Sequence, residues 1–125
     1  MDCACVYIGD YDNPDFCSTK IRSARKEHKC VECSQLIKVG EKYEDIRGKW
    51  ESGIERYITC LDCVSLREAF FCDGFLYGGM WENFWSFVSD VIEYNFPFSK
   101  IAELTPTARS EVCEGIEQIW DEMGL

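Results

Sequence analysis

Histidine is almost absent from this chain: His28 is the only one in 125 residues. A cysteine nucleophile needs a nearby base and an orienting group, and one imidazole offers a poor choice. No run of about eighteen apolar residues occurs, so no segment reads as a membrane-spanning helix. The start, Met1-Asp2-Cys3-Ala4-Cys5, lacks the basic residues and apolar stretch of a signal peptide. The expected compartment is therefore a reducing cytoplasm, where cysteines serve metal binding or burial more often than disulfides. Internal repeats and low-complexity tracts are missing. So is the H-x-E with P-C-x-x-C signature of zinc deaminases. Positive charge is scarce: 13 Lys and Arg stand against 23 Asp and Glu, a net −10 at pH 7. Such a balance disfavours general, high-affinity binding to nucleic acid unless a basic part faces the backbone alone.

That charge is unevenly spread. Residues 1–19 hold four acids and no base, residues 20–67 eleven bases against eight acids, and residues 68–125 two bases against eleven acids. The sequence accordingly divides into an acidic N-terminal segment (1–19), a metal-binding module (20–75) and a C-terminal helical lobe (76–125).

What the chain has in abundance is cysteine, nine residues. Four form two pairs, Cys30-x-x-Cys33 and Cys60-x-x-Cys63. Two residues between ligands let a tight turn aim both sulfurs at one ion, and two such turns complete a tetrahedral four-thiolate zinc site. The intervening chain is built to leave and return. Ile37 to Gly40 offers a turn, Lys42 to Trp50 reads as a strand, Ser52-Gly53 as a turn and Ile54 to Thr59 as the return strand. From Cys60 to Phe71 good helix formers follow, with Thr59 as candidate N-cap and Asp62 in the first turn. Knuckle, hairpin and helix in that order predict a treble clef, making the fold class α+β. Four thiolates leave no open coordination position, so the zinc is expected to be structural rather than catalytic. No βαβ context suggests dithiol redox chemistry. Tyr57-Ile58-Thr59 lacks the histidine that nucleases of the His-Asn-His type carry at the hairpin end.

The series Arg25 to Cys30 through Cys33, Ile37-x-x-Gly40-Glu41-x-Tyr43, Gly48-Lys49-Trp50, Tyr57-x-Thr59-Cys60 and Cys63 resembles small phage- and prophage-encoded treble-clef zinc-finger proteins. The resemblance covers roughly residues 20 to 80, extending into Arg67 and Phe70-Phe71-Cys72. It implies a fold and a phage context, not a reaction. Ser34 departs from the glycine often found after the second knuckle cysteine.

The remaining cysteines pose a separate question. Cys3, Cys5 and Cys72, with Cys17 or His28, could gather a second zinc and pin the N-terminus; the alternative is burial as small apolar side chains. Cys113 is expected in the core.

Beyond Trp81 the apolar period becomes helical: Trp81, Phe84, Trp85, Val88, Val91 and Ile92 share a face. Asn95-Phe96-Pro97 closes that helix, and Ser99 could cap a short turn over Lys100 to Leu104. Thr105-Pro106 starts a second helix whose stripe is Ala108, Val112, Ile116, Ile119, Trp120 and Met123, ended by Gly124. Gly74, Gly78 and Gly79 mark the join between the two parts. Acids Glu111, Glu114 and Asp121 lie on the outer face of the second helix. That face is either an ordinary solvated surface or a negative patch for a basic protein partner. The leading expectation is a non-enzymatic interaction module that uses this face, possible phage inhibition of a host defence enzyme included; the hairpin around Lys49 and Trp50 is the next candidate surface. The alternative is a nucleic-acid-binding finger acting in transcription or DNA transactions through Lys20, Arg22, Arg25, Lys26 and Lys29. Those same cations would also offset the −2 charge of a four-thiolate zinc.

Overall fold

A computed structural model describes residues 16–50, 53–71 and 77–124. Ser52 and Gly74 lie outside them.

Five strands come first. β1 (Phe16–Ser23), β4 (Lys42–Trp50) and β5 (Gly53–Cys60) form an antiparallel sheet in the order β1-β4-β5. The short β2 (His28–Lys29) and β3 (Leu36–Ile37) pair with each other around the first cysteine pair. The hairpin strands were legible; β1 was not. It has no apolar alternation, because it is an edge strand carrying Lys20 and Arg22, residues that guard an edge against unwanted pairing. It runs across the composition change at residue 20 and pairs with β4 along its whole length.

The register assigns the two sheet faces, since successive side chains alternate. Glu44, Ile46 and Trp50 of β4 share one face with Thr59 and Tyr57 of β5. α1 (Leu61–Phe70) packs against these strands, and its Arg67 donates to both carboxylate oxygens of buried Glu44, Nη1 to Oε1 at 2.6 Å. Tyr43, Asp45, Arg47 and Lys49 share the opposite face.

Thr59 does not cap α1. The N-cap is Cys60, and Thr59 Oγ1 is buried with no hydrogen-bond partner among the described residues. Thr59 is a strand residue opposite Glu44, on the face against which α1 packs and one residue before the N-cap.

α2 (Met80–Val91) and α3 (Pro106–Met123) follow, linked by a 3-10 turn over Phe98–Glu103. α2 ends at Val91 and unwinds through a turn before Pro97. The 3-10 turn starts at Phe98 after Pro97, with no side-chain cap, so Ser99 lies inside it. Thr105 caps α3 as the sequence requires: its side chain accepts from the Ala108 amide, and Pro106 opens the helix. Gly124 ends it in the left-handed region at φ 75°.

Leu66 and Phe70 of α1, Met80, Phe84 and Val88 of α2, and Ala108 and Val112 of α3 are fully buried against one another. The Phe70 and Phe84 rings meet edge to face at 4.9 Å. Burying one such ring contributes about 1.5–3 kcal/mol. This core continues into Ala24, Cys30, Ile37 and Tyr43, so the cysteine module and the helices share it. Gly115 has a packing reason: a Cβ there would fall within 3.0 Å of the Trp85 ring. Cys113, expected in the core, is exposed. It sits one residue past buried Val112, about 100° around the helix, which turns it to solvent.

Candidate metal centre

The first knuckle is a turn closed by its own backbone. The Ser34 amide donates to Cys30 O and the Cys30 amide to Gln35 O, both at 3.0 Å. Ser34 takes φ 63°, the left-handed conformation that favours glycine. The turn geometry thus holds despite the serine. The second pair sits where β5 passes into α1, with Cys60 as N-cap and Cys63 in the first turn. The Val31 amide donates to Ile58 O at 2.8 Å and draws the two turns together.

Four sulfurs converge there. The ligand atoms of Cys30, Cys33, Cys60 and Cys63 all lie within 4.8 Å of one another, and Cys33 and Cys60 Sγ are 3.8 Å apart. A tetrahedron of thiolates at about 2.3 Å from a central ion has edges of about 3.8 Å. The donor set and its spacing therefore fit one metal ion. Cys30 and Cys63 are buried, and Cys33 and Cys60 half-buried at the edge of a groove of about 650 Å³ lined also by Lys38, Asp62 and Trp81.

Thiol protonation shows how tightly the sulfurs are coupled. Hydrogen bonds from the Cys60 and Cys63 thiols hold Cys30 far below the usual thiol range, against the effect of burial. The donors move the other way: Cys60 is pushed up to about 12 and Cys63 is raised, both chiefly by bonding to Cys30. Burial raises Cys33. Binding of a cation here displaces the thiol protons. Amide donors reinforce the charge: Glu32 N and Cys60 N each approach Cys30 Sγ at 3.4 Å.

The third residue of each Cys-x-x-Cys pair is an acid, and each reaches a C-terminal element. Glu32 accepts from the Gly78 amide at 3.0 Å and the Met80 amide at 3.2 Å, capping α2 from another part of the chain. Desolvation raises the Glu32 pKa. Asp62 accepts from the Thr105 hydroxyl at 2.6 Å, and Ser65 Oγ accepts from the Thr105 amide at 3.2 Å, fixing the start of α3. Trp81 adds a third link: its indole N–H donates to Cys63 Sγ at 3.2 Å. Sequence reasoning read Trp81 only as part of an apolar stripe. The shared acidic position in C-V-E-C and C-L-D-C was the available signal for Glu32 and Asp62.

The other sequence candidates do not join this cluster. Cys17 is exposed, His28 packs on the Tyr43 ring at 4.9 Å, and Cys3, Cys5 and Cys72 lie outside the described residues. Among the described residues the four cysteines are the sole group placed to hold a metal. Glu111, Glu114 and Asp121 are exposed on α3. Glu111 borders the metal-centre groove, and Glu111 and Glu114 border a second one beside Trp85 and Ile119.

A charged cluster on the sheet was not anticipated. Asp45, 2% exposed, accepts from Arg22 Nε and Arg56 Nε at 2.8 Å, with Arg47 Nη2 at 3.5 Å. Its hydrogen bond to Arg56, helped by the other arginines, holds its carboxyl below the usual aspartate range. Same-face spacing of Asp45 and Arg47 on a predicted strand was the signal for it. No helix among the described residues is long and apolar enough to cross a membrane. Comparison with family models, with curated proteins and with solved structures finds no match.

Proposed function

We propose that this chain is a non-enzymatic, zinc-stabilised interaction module built on a treble clef. One observation carries the reading: the turns that gather the four sulfurs also grip both C-terminal helices, through Glu32, Asp62 and Trp81. A centre so enclosed by thiolates suits a structural ion, and an all-sulfur tetrahedral set suits zinc. Zinc here would organise the fold and supply no reacting water. The surface offered to a protein partner is the acidic face of α3, where Glu111, Glu114 and Asp121 are exposed. It would speed association with a cationic partner and lose that advantage in salt. In the phage reading such a partner is a host defence protein, met in the host cytoplasm. Metal analysis should find one zinc for these four cysteines, and charge reversal by Glu111→Lys, Glu114→Lys and Asp121→Lys should weaken capture of the partner at unchanged zinc content and helicity. Undiminished capture would remove α3 as the contact.

A second reading, nucleic-acid binding, has one specific observation in its favour: the arginines of all three sheet strands converge on Asp45.

A further inference from the structure

The open face of the three-stranded sheet reverses the charge of the chain as a whole. The register places Lys20 and Arg22 of β1, Arg47 and Lys49 of β4, and Arg56 of β5 on one face. Asp45 is the one acid among the described strand residues of that face, so five cations meet one carboxylate in a chain of net −10. α1 packs on the other face through Arg67 and Glu44.

Asp45 organises this surface. It is buried while the side chains of Arg22, Arg47 and Arg56 stay 43%, 58% and 40% exposed. Each guanidinium carries five N–H donors, of which Asp45 engages one or two, so the planar forks are oriented and remain open to solvent. Arg22, Arg25, Lys26, Arg47 and Arg56 border a groove of about 780 Å³.

We propose that this face binds the phosphodiester backbone of a nucleic acid. The assignment deepens the nucleic-acid reading and rests on it for ligand class, but not on the acidic helix. Oriented guanidinium groups match phosphate oxygens in pairs, which a lysine-only patch does not. Same-face residues recur about every 6.8 Å along a strand, so Arg47 and Lys49 form an array suited to a polymer of phosphates. Tyr43 on this face is 4% exposed, so its ring is no base-stacking platform. Contact through these cations is to the backbone and carries no sequence information.

The test is fluorescence anisotropy on the zinc-loaded full chain, with a labelled oligonucleotide, single-stranded in one arm and duplex in the other. A net of four neutralised phosphates predicts a log–log salt slope of about −3 to −4. Replacing Lys20, Arg47 and Lys49 together by Gln should flatten it by about 2–3 and lower affinity at least about tenfold, at unchanged circular dichroism and zinc content. Lys49→Gln alone, outside the Asp45 cluster, should flatten it by about 1 and covers the case where the triple variant misfolds. Binding that the variants leave intact overturns this face while the nucleic-acid reading survives. Failure of both oligonucleotides at low salt overturns both. Equal binding to polyglutamate or to phosphatidylserine vesicles overturns the phosphodiester assignment.

Discussion

Residues 28–70 are held around four sulfurs and two buried carboxylates, whereas residues 80–123 are held by a stripe of phenylalanine, valine and tryptophan. The strands of the first region are unevenly supported: β5 leaves Ile54 85% exposed, β2 and β3 are two residues each, and the buried Ile37, Tyr43, Leu66 and Phe70 belong to the core shared with the helices. Short strands of this kind need an external staple, which a metal supplies. The second region has rings enough for a core, with Phe84 and Val88 fully buried. Yet the two are not independent. Glu32, Asp62 and Trp81 carry the order of the knuckles into the helices, and Leu66 and Phe70 put α1 into the helical core. The difference teaches that the cysteine-rich part positions the helical part rather than merely sitting beside it.

Metal removal is the strongest way to break that relation. Structural zinc is worth about 10–16 kcal/mol in small fingers at neutral pH, more than most domains have in total stability. Chelation, or Cys63→Ser, should therefore abolish the sheet signals in NMR and also loosen α2 and α3. Helices that keep native side-chain dispersion without metal would show the coupling to be weak. Acidification acts in the same direction. The metal-free cluster holds Cys33, Cys60 and Cys63 above the ordinary thiol range, so protons displace the metal as pH falls. Metal affinity followed by a chromogenic chelator should drop with pH accordingly.

The apolar side is broken at Phe84, which is 0% exposed. Phe84→Ala should cost about 3–5 kcal/mol in urea unfolding. If the metal-held part dominates, the variant should still bind one metal ion at its sulfurs.

The links between the regions give smaller effects. Glu32→Gln leaves the sulfurs in place and weakens the acceptor at the start of α2. The expected loss is about 1–2 kcal/mol, with amide exchange fastest at Gly78 to Met80. A variant as stable as the parent would mean that α2 docks by its rings alone. Trp81→Phe keeps an aromatic ring against Phe84 and removes the N–H donor to Cys63. Loss of such an outer-shell partner should weaken metal binding about tenfold, close to 1.4 kcal/mol, with helix content unchanged. Unaltered affinity would reduce Trp81 to a packing residue.

Several parts of this arrangement were legible in the residues themselves. The two Cys-x-x-Cys pairs named the four sulfurs that converge, because a two-residue spacer is short enough for local turn geometry to aim both sulfurs. Strand β4, the return strand and the Thr105-Pro106 start of α3 were legible for the same local reason. β1 was not, since an edge strand of polar and basic residues lacks the alternation that a half-buried strand shows. Cys113 was misplaced because a helical stripe fixes a direction only to within about a residue, and 100° separates core from solvent. Thr59 was misread as a cap by one residue: α1 starts at Leu61, which makes Cys60 the N-cap.

The sequence by itself determined the local elements and the two cysteine pairs that could hold a metal, because turns, caps and helical stripes depend on neighbours a few residues away. Tertiary structure alone decided that Glu32 caps a helix 48 residues on and that Asp62 holds one 43 residues on. It also decided that arginines from three strands meet at Asp45. Each of these joins residues far apart in the chain, and the partner of a buried charge is set by where the backbone brings it, not by what stands beside it in the chain.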